Sequence, residues 1–169
     1  GKFYMGGTIA YVSGDDQATR DKNEGFAVHG GRDWNPCLIL FNNDVDYWAG
    51  TPAGWDGTAT SNAGTMINAY FGQLRAGVRP IDKLDIMLSG SYARADKTLN
   101  ALPANTGAWV GRDYGYEVDL TGTYTITNNL SYMLGGGYFV AGDWYKGKTA
   151  VNQDIENDFL VINKLTLTF

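Results

Sequence analysis

Apolar and polar residues alternate with a period of two along much of the chain, and no sustained i, i+3, i+4, i+7 apolar stripe follows a helix cap. Leu84, Ile86, Leu88, Gly90 and Tyr92 share one face, against Asp85, Met87, Ser89 and Ser91 on the other. Tyr114, Tyr116, Val118, Leu120, Gly122, Tyr124 and Ile126 repeat the pattern, opposed by Gly115, Glu117, Asp119, Thr121, Thr123 and Thr125. So do Leu130, Tyr132, Leu134, Gly136, Tyr138 and Val140. Less regular alternation runs through Phe3, Met5, Gly7, Ile9 and Tyr11, and through Tyr70, Gly72, Leu74, Ala76 and Val78. The last set is Phe159, Val161, Asn163, Leu165, Leu167 and Phe169. Six strands are predicted, over 2–13, 65–79, 83–95, 112–127, 130–142 and 157–169.

The connections decide more than the strands do. Two are short, Pro80-Ile81-Asp82-Lys83 and Thr127-Asn128-Asn129, while 14–64, 96–111 and 143–156 are long. Tight turns at one end and long loops at the other are the pattern of an outer-membrane barrel. The strands exceed the five or six residues common in soluble sheets and are long enough to cross a bilayer with tilt. On the fourth strand Tyr116 and Tyr124 lie eight residues apart on the apolar face. Tilted by roughly 40°, that separation spans roughly 20 Å, close to an apolar band about 25 Å tall flanked by aromatic girdles. The girdle candidates are Tyr11, Tyr70, Tyr92, Tyr116, Tyr124, Tyr132, Tyr138, Phe159 and Phe169. The expected fold is therefore an all-β, antiparallel, up-and-down transmembrane barrel segment spanning 1–169, with 14–64 as one long external loop.

Composition sharpens this. The chain of 169 residues carries 13 Lys plus Arg against 18 Asp plus Glu, for a net charge of −5, which argues against nucleic acid as a partner. Its 23 glycines are about twice the usual share of roughly 7%. A single Cys excludes an internal disulfide, a multi-Cys zinc site and a haem-attachment motif. Mean hydropathy is −0.26 and the longest apolar run is 37–41, so no transmembrane helix is predicted. No leader is visible, and any export signal is expected to lie outside these residues.

The last residues, Asn163-Lys164-Leu165-Thr166-Leu167-Thr168-Phe169, place a terminal Phe after apolar residues two and four positions earlier. This resembles the C-terminal signature of bacterial outer-membrane proteins, and the resemblance implies recognition of Phe169 by the outer-membrane insertion machinery. A wider order of motifs runs from Trp34-Asn35-Pro36-Cys37-Leu38-Ile39-Leu40-Phe41 to Pro80-Ile81-Asp82-Lys83-Leu84 and Ala93-Arg94-Ala95-Asp96. Tyr114-Gly115-Tyr116-Glu117-Val118-Asp119, Asn128-Asn129-Leu130-Ser131-Tyr132 and Gly142-Asp143-Trp144 follow. That order is similar to the C-terminal third of alginate-export-like porins. It implies a barrel of well over eight strands that passes small solutes across a Gram-negative outer membrane, with the C-terminus periplasmic and the long loops extracellular. Lipid and lipopolysaccharide would surround it. Six strands cannot close a membrane barrel, for which about eight is the minimum. The missing strands would come from a larger barrel, from sister chains, or from a further hairpin at 25–30 and 37–41.

The polar faces of the strands carry the lumen and selectivity candidates Gln73, Arg75, Asp85, Glu117, Asp119 and Lys164, with Ser89, Ser91, Thr121, Thr123 and Ser131. Arg75 and Lys164 opposite Glu117 and Asp119 would set a transverse field across a pore, or pair to stiffen its wall. Asp15, Asp16, Asn42, Asn43, Asp44 and Asp46 gather oxygen ligands, with Asp44 and Asp46 as weak metal candidates. Their spacing lacks the calcium-loop pattern, so a solvated acidic loop is the plainer reading. The run 37–41 needs burial, either as a constriction or against the barrel rim. His29 has no nucleophile-elbow partner, Cys37 has no basic neighbour, and Gly135-Gly136-Gly137 lacks the Lys-Ser/Thr of a phosphate loop. No cofactor and no covalent chemistry are expected. Two alternatives to a passive porin remain: a partner-binding barrel with a plugged lumen, and the wall of a porin–cytochrome conduit.

Overall fold

A computed structural model describes residues 1–16, 19, 21–25, 35–42, 66–98 and 108–169. Six antiparallel strands form one sheet: β1 Lys2–Val12, β2 Ala69–Ile81, β3 Leu84–Ala95, β4 Asp113–Thr127, β5 Leu130–Ala141 and β6 Asp158–Leu167. Their order in the sheet is their order in the chain, so every neighbour is joined by an up-and-down connection. The only helical element among the described residues is a 3₁₀ turn at Asp143–Lys146. The strands are 10 to 15 residues long, within two residues of most expected boundaries. The exception is the start of β2, expected at 65 and found at Ala69; at its other end β2 continues through Pro80 and Ile81, which leaves Asp82-Lys83 as the β2–β3 turn. Proline costs no ladder bond there, since β1 ends opposite Arg79 and the β2–β3 register shifts between Val78 and Ile81.

Pleating gives the sheet two unlike faces. On one, register aligns Phe3, Met5, Ile9, Leu74, Leu88, Val118, Leu120, Leu134, Val161 and Leu165, and these apolar side chains lie open. Ile9 is 93% exposed and Met5 86%. The other face buries Gln73, Ser89, Ser91, Glu117 and Asp119, because residues 36–42 lie across it as a strap. The usual partition is inverted: apolar side chains are bare and polar ones covered. The core clusters Cys37, Leu40 and Phe41 of the strap with Phe71, Ala93, Ala95, Tyr114 and Phe139 of the sheet. The strap is a turn rather than a strand, which removes 37–41 as half of an additional hairpin; most of 25–30 lies outside the described residues.

Tyr114 corrects the period-two reading, which put it on the apolar face with Tyr116. Ala93 pairs with Gly115 but Arg94 pairs with Asp113, so Tyr114 is the extra residue of a bulge. Gly115 has φ +124°, and the kink turns the Tyr114 ring to the strap side, where it meets Phe41 edge-on at 5.6 Å and Trp144 at 5.0 Å. Any side chain at Gly115 would also meet the Val140 carbonyl. Gly90, by contrast, faces open space on the bare side. Gly115→Ala should therefore cost about 1–3 kcal/mol, while Gly90→Ala should stay within about 0.5 kcal/mol of the parent in denaturant unfolding.

Candidate functional site

The strap is held by its backbone. Glu117, in the middle of β4, accepts the Ile39 N–H at 2.7 Å through Oε1 and the Leu40 N–H at 2.6 Å through Oε2. Asp119, two residues further along the same face, accepts the Leu38 N–H at 3.3 Å, with Ser89 Oγ at 3.5 Å. A turn leaves successive N–H groups pointing the same way, and such a row is a natural receptor for a carboxylate. On the flanking strands, Gln73 donates its amide to the Pro36 carbonyl and to Ser91 Oγ, and Cys37 Sγ lies 3.3 Å from Ser91 Oγ. Asn42 closes the turn by donating to the Leu38 carbonyl at 2.8 Å. Phe41 then drops its ring between Phe71 and Tyr114.

Two glycines make the approach possible. Cβ atoms at Gly135 and Gly137 would come within 3.2 and 3.3 Å of Leu38, and one at Gly137 would stand 2.7 Å from Asp119 Oδ1. Gly135 and Gly137 are thus a bed for the strap, and Leu38 lies on it. Cys37 is buried at 3% exposure, and that burial, reinforced by the Glu117 charge, pushes its thiol up. It is no thiolate nucleophile. Its Sγ and one oxygen each of Glu117 and Asp119 all lie within 4.8 Å of one another.

Of the six lumen candidates, the structure brings Gln73, Glu117 and Asp119 together under the strap. Arg75 shares a register row with Ser89 and Asp119 yet is exposed, with its guanidinium alongside Gly6. Lys164 is opposite Met133, two rows beyond Gly137 towards the turn end. Asp85 sits near that end, where it accepts the Tyr4 hydroxyl at 2.7 Å and Arg79 Nε at 3.1 Å. The ion pairs among the described residues are Lys22–Glu24, Arg79–Asp85, Arg94–Asp113, Lys97–Asp16 and Lys146–Asp143, and none reaches Glu117 or Asp119. On this face Arg79 meets Asp85 as an opposite-charge contact, near the turn end. Asp15 and Asp16 serve the loop itself, accepting the Glu24 N–H and pairing with Lys97. His29, Asn43, Asp44 and Asp46 lie outside the described residues.

On the bare face the aromatic candidates fall into rows. Tyr11 stacks on Tyr70 at 4.7 Å, Tyr92 lies against Tyr116 at 5.0 Å, and Tyr138 is opposite Phe159, all toward the long-loop end. Tyr124 and Tyr132 pair toward the short-turn end, and Phe169 lies beyond β6, fully exposed. At the long-loop end the hydroxyls have polar anchors: Tyr92 donates to Asp113, and Tyr11 and Tyr70 donate to Asp96 at 3.1 Å each. Nothing in the period-two pattern pointed to Asp96 or Asp113 as anchors, although each lies at a strand end. Comparison with protein-family models, with curated proteins and with solved structures finds no match. No helix among the described residues is long and apolar enough to cross a membrane.

Two measurements test this site. Glu117→Ala strands two buried N–H groups and should cost about 1–3 kcal/mol for each, so the amides of Ile39 and Leu40 should lose hydrogen-exchange protection while β1 and β2 keep theirs. Asp96 titrates at the strand end. Burial would lift it, but the Gly14 N–H, the Tyr70 and Tyr11 hydroxyls and the Lys97 charge together hold it below the ordinary carboxylate value. Its stabilisation is therefore complete above the unfolded value near 3.9 and is lost as pH falls through the lower folded one. Unfolding midpoints of wild type and Asp96→Asn should differ at pH 7 and converge in strong acid.

Proposed function

We propose that this chain is part of the wall of an outer-membrane β-barrel that passes small solutes by diffusion, with residues 36–42 folded against the lumen side as a constriction. The observation that carries the reading is the inverted sheet: a bare apolar face banded by tyrosines backs a polar face that carries an ordered loop. A continuous apolar surface across six strands needs an apolar medium, and lipid with an aromatic girdle at each interface supplies one. Long strands, two-residue turns at one end and long connections at the other support the same reading. The exposed Phe169 suits recognition by the insertion machinery, and the rims of tyrosine suit contact with lipid headgroups and lipopolysaccharide. The strap itself favours a second reading, a partner-binding barrel whose lumen is plugged, because it is bonded down rather than loose.

Planar-bilayer recording of the purified full-length protein separates the two. Stepwise openings are expected for the porin, larger in unit conductance in Glu117→Ala, where the strap is freed. Silent bilayers with wild type would leave the plugged barrel. The membrane placement is tested separately by unfolding from lipid vesicles. Leu120→Arg, midway between the tyrosine rows on the bare face, should cost about 2–4 kcal/mol, whereas Thr123→Arg on the opposite face should cost little.

A further inference from the structure

Two carboxylates lie side by side under the strap, each nearly inaccessible: Glu117 is 1% exposed and Asp119 3%. Two carboxyls this close in a water-poor setting need either one shared proton or a neighbouring positive charge. No ion pair among the described residues provides that charge. Glu117 has one N–H on each oxygen. Asp119 Oδ1 has none, and it is the buried polar side-chain atom left without a hydrogen-bond partner among the described residues. It points to the space over Gly137, where a Cβ would stand 2.7 Å from it and 3.5 Å from Glu117 Oε1. Cys37 Sγ completes the group, with all three ligand atoms within 4.8 Å of one another.

We propose that Cys37, Glu117 and Asp119 bind one divalent transition-metal ion of borderline softness, of which zinc is the model, and that the ion clamps the strap to β4. Sulfur beside carboxylate oxygen is a donor set that suits zinc and its congeners and is foreign to calcium or magnesium. A tetrahedral zinc ion holds such ligand atoms about 3.5 Å apart, so small side-chain rotations close the site. Ser91 Oγ, already 3.3 Å from Sγ, or a water stands ready as the fourth ligand. On binding, the thiol gives up its proton to solvent and the metal takes the sulfur lone pair. The second shell is in place: Ile39 and Leu40 N–H groups orient Glu117, and Ser89 and the Leu38 N–H orient Asp119. The site stands whether or not the sheet conducts solutes.

The chain has one Cys, so a thiolate-to-metal absorption band reports Cys37 alone. The refolded full-length protein is titrated with cadmium chloride in the ultraviolet and with zinc chloride by equilibrium dialysis. One ion per chain is expected, with the cadmium–thiolate band rising to the same endpoint. The band should vanish in Cys37→Ser, and zinc affinity should fall at least tenfold in Asp119→Asn, both of which preserve side-chain shape. A wild-type protein that shows no band at saturating cadmium overturns the proposal without reference to any variant. So does zinc retained equally by wild type and Asp119→Asn, which would place the ion on other acids. No retained metal at all would leave a proton shared by the two carboxyls, and that too overturns it.

Discussion

The architecture of the covered face depends on one carboxylate. Among the described residues Glu117 is the largest side chain fully buried, and it is a carboxyl, so its place in the sheet is tolerable only because something polar covers it. The cover is backbone. Two consecutive N–H groups of the strap end on its two oxygens, a geometry in which acceptor and donors each answer a need the other creates. Hydrogen bonds to a charged acceptor contribute about 1.5–3 kcal/mol each, comparable with the burial of one large apolar side chain. Polar and apolar terms therefore act together: Glu117 fixes where the turn sits, and Phe41 and Leu40 fill the space that position opens against Phe71, Tyr114 and Phe139.

Much of the sheet could be read directly from the sequence, because register in a pleated strand is a matter of parity. Alternation in 84–92, 116–126 and 130–140 gives the faces, and the Asp82-Lys83 and Asn128-Asn129 turns give the neighbours. Parity fails where a residue is inserted. At Gly115 a single positive φ moves Tyr114 from one face to the other, and alternation cannot count a bulge. The glycine there was legible as a glycine, but its task depends on a carbonyl of the next strand, at Val140.

The strap shows a different limit. Its apolar run demanded burial, and Gln73, Glu117 and Asp119 were visible as polar residues on one face. That these belong together could not be read, since Leu40 and Glu117 are 77 residues apart and the bond joins a side chain to a backbone that any sequence would offer. The expectation of Arg75 and Lys164 facing the carboxylates came from charge alone. Backbone N–H groups of the strap bond both Glu117 oxygens and one Asp119 oxygen, and no table of residue types predicts them.

The glycines divide along the same line as the faces. Gly72, Gly90 and Gly122 open onto empty space on the bare side, whereas Gly135 and Gly137 lie beneath Leu38 and Asp119 on the covered side. One set thins the apolar face and the other lets a second layer of chain come close, so composition alone would merge two unrelated physical roles. The same division bears on the edges of the sheet. Among the described residues β1 and β6 each have a partner on one side only, and in lipid every unpaired ladder group would cost several kcal/mol. A face this apolar and edges this open are compatible with a bilayer only if further strands continue the ladder on both sides. The proposed barrel reading therefore calls for more wall than the six strands described.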